Sequence, residues 1–363
     1  MSAGPIMIMA GGTGGHVFPG LAVAEALRAR HGDVVWLGTQ RGIEARLVPS
    51  QGIDIEWISI AGVRGRGVTA WLAAPFRVVG ATLQALGVLR RRRPAAVFGM
   101  GGFVAGPGGI AAWLARRPLV LHEPNAVAGT TNRLLAPLAA RIFTSFPDTF
   151  PPSDRVEVIG TPVRSSFKAT DAPRERLGPR RFERRHLLVV GGSQGARVLN
   201  RTVPAALALL PEAERPEVWH QAGRLTVDEA RAAYAAAGVA ARIDTFIDDM
   251  PSAYRWADLV VARAGGSTLA ELAIVGVGVV LVPLATAIDD HQTANARHFC
   301  SSGAGLVVAE TELEAPALAR ALAERLGDFD QLLAMADAAR AQARPDAAER
   351  LASACLDLAE VRA

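Results

Sequence analysis

The sequence predicts an α/β protein built from two Rossmann-like domains in tandem. Three observations carry that expectation. Short apolar strands alternate with helical stretches along most of the chain, which is the pattern of parallel βαβ units. The plan of strand, glycine turn and helix occurs twice, at Met9-Ala10-Gly11-Gly12-Thr13-Gly14-Gly15-His16 and at Val189-Val190-Gly191-Gly192-Ser193-Gln194-Gly195-Ala196. The length of 363 residues, 50% of them hydrophobic, exceeds one ordinary core.

In the first half, strands are expected at Ile6–Met9, Val34–Leu37, Ile55–Ile60, Ala95–Phe98, Leu119–Leu121, Ile142–Thr144 and Val156–Ile159. Gly160-Thr161-Pro162-Val163 reads as a linker, followed by a polar segment rich in Arg and Pro up to Arg185. The second series is expected at Leu187–Val190, Glu217–His220, Ile243–Phe246, Leu259–Ala262 and Val279–Val282, and from Glu312 onward the chain reads as helix rich in Ala and Leu. Open parallel sheets bind ligands at the carboxyl ends of their strands, so the site is sought there.

Charge is unevenly spread. Residues 1–160 hold 16 Arg against 9 acids, and the remainder holds 23 basic residues against 26 acids, within a net of +4. A basic first half points to a polyanionic partner. Nucleic acid is disfavoured because no basic platform interleaved with aromatics is visible, which leaves an anionic membrane surface. Cys300 and Cys355 are too few and too far apart for a disulfide framework or a metal site, as suits a reducing cytosol. The N-terminus does not read as a signal peptide, and the uncharged runs are broken by Gly and Pro, so no membrane span is expected.

Several stretches carry chemistry. The first glycine turn presents backbone N–H groups to an anion, but Val17 stands where a dinucleotide fingerprint needs a third small residue, and Gly38-Thr39-Gln40 offers no acid for a ribose. A second turn, Gly99-Met100-Gly101-Gly102-Phe103, also follows a strand, and the pair favours a shared diphosphate. His122-Glu123-Pro124-Asn125 follows another strand but lacks the second His of a zinc motif, so no metal is expected. In the second half, Gly265-Gly266-Ser267 starts a helix that carries Glu271, a candidate ribose acceptor or a dipole-favoured acid. Asp289-Asp290-His291-Gln292 forms a polar cluster at the next strand end. Residues 61–93 stand apart. A basic glycine-rich loop leads into the apolar stretch Ala70–Leu89, with Trp71, Leu72 and Phe76, and then into Arg90, Arg91, Arg92 and Arg93. This is either a core helix with a basic end or an interfacial patch for anionic lipid.

Taken together, Gly11–His16, Gly101–Pro107, His122–Asn125 with Asn132, Gly160–Arg164, Gly191–Arg197, Phe246–Met250, Gly265–Glu271 and His291–Asn295 follow one order and spacing. By these motifs the chain resembles the bacterial N-acetylglucosaminyltransferases that convert lipid I to lipid II in peptidoglycan synthesis. The resemblance runs from the first residues to the last helix. It implies a GT-B fold, two Rossmann-like domains facing a deep cleft. One domain comprises 1–162 with a C-terminal helix at about 344–363 and faces the acceptor and membrane, and 163–343 binds the donor. It implies UDP-N-acetylglucosamine as donor, undecaprenyl-linked lipid I as acceptor, no cofactor, cell-wall synthesis and division proteins as partners, and residence at the cytoplasmic face of the membrane. By motif, donor contacts fall to Thr13, Gly14, Gly15, Asn125, Arg164, Ser193, Gln194, Ile247, Glu271 and Gln292. Acceptor contacts fall to Gly12, Gly14, Gly102, Phe103 and Asn125.

Inverting transfer needs a base for the acceptor hydroxyl and help for departing UDP. His16 is the first candidate base, its class suiting neutral pH, and Glu123 the second. Leaving-group charge is expected to be met by helix N-termini and Arg164. The rivals are another nucleotide-sugar enzyme of the same fold (a diacylglycerol glycosyltransferase or a UDP-sugar epimerase) and a non-catalytic protein that binds lipid diphosphates.

Overall fold

The computed structural model describes residues 4–60, 74–192, 194–287 and 290–360. It divides into two compact units, Met1–Arg164 with Arg344–Ala363, and Ser165–Ala343. Each holds one wholly parallel sheet.

In the first unit the strands are β1 (Ile6–Met9), β2 (Val34–Gly38), β3 (Asp54–Trp57), β4 (Ala96–Gly99), β5 (Leu119–Glu123), β6 (Arg141–Thr144) and β7 (Val156–Val158). Their order across the sheet is β3-β2-β1-β4-β5-β6-β7. The central strands β1, β2 and β4 carry no polar side chain because both faces are covered. Ile6 and Ile8 of β1 face one core with Trp36, Phe98 and Val120, backed by Val17, Val23 and Leu27 of the helix Gly14–Arg28. Met7 and Met9 face the other with Val97 and Leu121, backed by Val88 and Leu89 of the helix Ala74–Arg92 and Val104 and Ala105 of the helix Gly102–Leu114. The last helix, Ala347–Glu360, belongs to this unit and adds Leu351, Ala352 and Cys355 to the first core.

The second unit orders its strands β10-β9-β8-β11-β12-β13. They run β8 (His186–Val190), β9 (Glu217–Gln221), β10 (Arg242–Asp244), β11 (Leu259–Ala262), β12 (Gly278–Leu281) and β13 (Gly305–Val307). Leu187 and Val189 pack on Leu199, Val203 and Leu207 of the helix Arg197–Ala208.

The two-sheet α/β expectation holds, with local corrections. The strand expected at Ile55–Ile60 is Asp54–Trp57, and the one at Ile243–Phe246 is Arg242–Asp244. Strand β13 was not anticipated. It has three half-buried residues on a sheet edge, too short for an apolar run to mark it. His122 and Glu123, expected just after a strand, are the last two residues of β5 and are buried. Ser193, Trp71 and Leu72 lie outside the described residues.

Candidate active site

Each sheet reverses its direction of winding at one place, between β1 and β4 in the first unit and between β8 and β11 in the second. Strand ends diverge there, and ligands of open α/β sheets sit in the resulting crevice. The residues singled out in the sequence lie on the turns that leave these strands.

In the first unit, the buried Trp36 donates from Nε1 to the Ala10 carbonyl at 2.8 Å, which fixes the end of β1. Gly12 then takes φ +90°, and a Cβ there would come 2.7 Å from the Phe103 ring. Both facts demand glycine. Thr13 caps the helix in extended conformation, and the His16 N–H bonds its carbonyl at 3.2 Å. The His16 Nδ1 stands 3.5 Å from Thr13 Oγ1. The facing turn supplies Gly102 at φ +75°, whose Cβ would lie 3.4 Å from the same nitrogen. The two glycine turns thus meet around the His16 imidazole, with Gly14 and Gly15 opening the helix beneath it.

One expectation needs correction. Gly12 does not offer its N–H to a ligand phosphate. That group donates to the carboxylate of Glu44 at 3.0 Å.

Glu123 is also committed. Its Oε1 accepts from the Asn125 N–H at 3.1 Å and Asn125 Nδ2 at 3.0 Å. Its Oε2 accepts from the Gly129 N–H at 3.0 Å and Asn132 Nδ2 at 2.9 Å. Burial pushes its carboxyl above the usual range, and these four donors pull it back without cancelling the push. A carboxylate whose acceptor directions are filled by four donors is poorly placed to take a substrate proton. The candidate base Glu123 becomes the hub that shapes the loop from Asn125 to Gly129 and orients Asn125 itself.

His122, beside it, is fully buried with Nε2 2.9 Å from the Gly160 carbonyl. Burial pushes its pKa down to about 4, and the charge of nearby His16 adds to the effect. The ring is therefore neutral in the folded chain and donates from Nε2. The unfolded chain takes up a proton near the ordinary value of 6.5 and the folded chain only near 4. Stability is thus fully present above pH 6.5 and is lost as pH falls toward 4, by roughly 3 kcal/mol. Replacing His122 by Gln should flatten that part of the pH–stability curve in a denaturant titration. An unchanged slope would assign the dependence to other groups.

Arg164, at the end of the first unit, places its guanidinium 4.8 Å from the centroid of Phe18, one turn along the helix that carries His16. A cation over an aromatic face is held without losing its charge.

In the second unit, the turn after β8 is closed by the Gly195 N–H donating to the Gly192 carbonyl at 3.1 Å, with Gln194 exposed. Gln221, at the end of β9, is buried and accepts the Ile247 N–H on Oε1 at 3.0 Å. The carbonyl side of Ile247 is then the side that can meet a base edge. Glu271 lies partly exposed in the second turn of the helix Gly266–Val275. Gln292, in the first turn of the helix His291–Cys300, accepts the Leu284 N–H on Oε1 at 3.0 Å, which leaves its amide to donate. Arg263, at the end of β11, pairs through both terminal nitrogens with Glu310 at 3.1 Å and also donates to the Val282 and Pro283 carbonyls. Glu310 accepts the Ala285 N–H at 2.9 Å as well. Burial pushes the Glu310 carboxyl up, but Arg263 and this N–H outweigh it and hold it below the usual range. The pair shapes the loop before Gln292. Glu44, Gln221, Arg263 and Glu310 were not anticipated, since each acts on a partner far along the chain.

Residues 6–144 match the glycosyltransferase family 28 N-terminal domain, and residues 186–351 match the family's C-terminal domain. A UDP-N-acetylglucosamine--N-acetylmuramyl-(pentapeptide) pyrophosphoryl-undecaprenol N-acetylglucosamine transferase from Nitrosococcus oceani is 57% identical over 357 residues, 98% of each chain. A protein of the same name from Alkalilimnicola ehrlichii is 55% identical over 97% of this chain and 98% of its own. The crystal structure of Acinetobacter baumannii MurG superposes with a TM-score of 0.81 at 38% identity, covering 98% of this chain and 99% of that one. The glycosyltransferase of kitacinnamycin, at 18% identity and a TM-score of 0.73, shares the fold, a GT-B fold of two Rossmann-like domains. Matched by both family 28 domains and at high identity across its length, the chain belongs to glycosyltransferase family 28 and, within it, to the MurG family.

Proposed function

We propose that the chain transfers N-acetylglucosamine, with inversion, from UDP-N-acetylglucosamine to the C4 hydroxyl of the muramoyl-pentapeptide of lipid I, giving lipid II. The observation that carries this reading is the 57% identity over 98% of the chain to a transferase named for that donor and acceptor. The geometry supports it: each unit carries its own set of glycine turns and polar side chains at the switch point of its sheet.

In this reading the first unit takes the acceptor around His16, Gly102, Phe103 and Asn125. His16 accepts the hydroxyl proton as the oxygen attacks the anomeric carbon. The second unit takes the donor, with the Ile247 carbonyl on the uracil, Glu271 on the ribose and the Gln292 amide on the sugar. Charge developing on UDP is met by backbone N–H groups of the Gly192–Gly195 turn and by Arg164. Release of UDP should require a lipid I analogue and should follow UDP-N-acetylglucosamine but not UDP-glucose or UDP-N-acetylgalactosamine. UDP-sugar turnover without acceptor favours an epimerase, and acceptor binding without UDP release favours the non-catalytic rival.

We also propose reversible attachment to an anionic membrane surface. No helix among the described residues is long and apolar enough to cross a bilayer. On the helix Ala74–Arg92 the side chains of Ala85, Val88 and Leu89 enter the core, while Phe76, Val79 and Leu83 are exposed by 80, 59 and 63% at helical spacing. The core-helix and surface-patch readings therefore describe two faces of one helix. At the basic end Arg90, Arg91, Arg92 and Arg93 are all exposed, and Arg91 and Arg92 also pair with Glu56, Arg92 with Asp54 too, which offsets part of the local positive charge. Replacing Phe76, Val79 and Leu83 together by Ser should reduce flotation with anionic vesicles by at least about tenfold, given ~1.5–3 kcal/mol for each large apolar side chain buried. Unchanged flotation would remove this face from the proposal.

A further inference from the structure

We infer that Glu44 is a positioning residue for the proposed base: its carboxylate, buried beneath Gly11 and Gly12, holds the first glycine turn by the Gly12 N–H and so sets where His16 stands. The inference rests on the proposed transferase reading, in which His16 takes the acceptor proton.

Glu44 opens the short helix Glu44–Ser50 and has no solvent exposure. Among the described residues no Arg or Lys pairs with it, so its charge is compensated by hydrogen bonds. Within its own loop Glu44 is bonded by Thr39, whose N–H and Oγ1 donate to Oε1 at 3.1 and 2.8 Å. Glu44 spends its other oxygen 32 residues upstream, on Gly12. Three glycines make room for it. A Cβ at Gly11 would sit 2.6 Å from Oε1, one at Gly38 would sit 2.9 Å from Cγ, and one at Gly42 would overlap Oε2.

The consequence for the site is direct. Gly12 at φ +90° has wide freedom of its own, and four residues later the chain must deliver an imidazole. The His16 and Val17 N–H groups are both hung on the Thr13 carbonyl, so the helix start moves with the turn. A charged acceptor buried under the turn is a strong and directional tether. A second anion on the same N–H is excluded, which makes this turn a holder of His16 more than a phosphate cradle.

The test is a double-mutant cycle, with kcat expressed per UDP-N-acetylglucosamine-binding site. Glu44→Gln keeps the shape but turns an amide N–H2 toward a donor. It should lower kcat for a lipid I analogue by about tenfold, because a small displacement of a reacting group is costly. The KM for donor and acceptor should change less than kcat, since the larger loss falls on the chemical step even though Thr13, Gly14 and Gly15 of the same turn are expected substrate contacts. In a His16→Ala background the same substitution should change the residual rate by less than about twofold, because residues that act as a unit are non-additive. A loss of equal size in both backgrounds, or no loss in either, overturns the inference and leaves Glu44 a structural carboxylate. If Glu44→Gln does not fold, Gly42→Ala, which pushes the carboxylate off Gly12, decides by the same cycle with an expected loss of about threefold. Turnover by the wild-type chain and its loss in His16→Ala check the underlying reading separately.

Discussion

His16→Ala is expected to lower kcat by roughly 10²–10⁴-fold, the usual worth of a general base, or about 3–5 kcal/mol of barrier. Affinity for UDP-N-acetylglucosamine, measured by calorimetry, should fall far less than kcat, because the uracil, ribose and sugar contacts are proposed on Ile247, Glu271 and Gln292 of the second unit. The ring stands where two glycine turns meet, and the helix start that carries it is bonded to Thr13 rather than to a substrate group. Its loss removes the proposed proton acceptor and leaves the backbone bond from the residue 16 N–H to the Thr13 carbonyl in place. A kcat close to wild type, with intact donor binding, would remove His16 from the mechanism.

Glu123→Ala is expected to act mainly on stability. It strands four donors, from Asn125, Gly129 and Asn132, in a site where the carboxylate is 2% exposed. An unsatisfied buried donor costs ~1–3 kcal/mol. With partial relaxation, a net loss of roughly 3–5 kcal/mol is expected. That corresponds to a fall of about 10 °C in the melting temperature of the affected unit. Glu123→Gln should destabilise less and still misplace Asn125, because its amide turns a donor toward other donors. Were Glu123 the base, Glu123→Gln would in addition lose kcat as severely as His16→Ala. The two residues are separated by which of these patterns calorimetry and kinetics return.

The sequence made the sheets and their turns legible because the central parallel strands are largely apolar and turns at positive φ demand glycine. Ile6–Met9 followed by Gly11-Gly12, and Leu187–Val190 followed by Gly191-Gly192, are visible without coordinates. The supports beneath those turns were not legible. Glu44 reads as an ordinary acid in the first turn of a helix, and only the fold brings it to Gly12. Arg263 and Glu310 are 47 residues apart, and Gln221 and Ile247 are 26 apart, distances at which no local pattern survives. Glu123 was legible as a polar residue at a strand end, but not as one already filled by four donors. The basic run Arg90–Arg93 was legible, but not the partial offset of its charge by Asp54 and Glu56 on a strand some 35 residues earlier.

The most direct test of the central claim is the product itself. Incubation with UDP-N-acetylglucosamine and a lipid I analogue should yield a lipid one N-acetylhexosamine heavier by mass spectrometry. Nuclear magnetic resonance should find its new linkage β, inverted from the α-configured donor, with one UDP released per product. Absence of that product under conditions where both substrates bind, or an α linkage in it, would contradict the account.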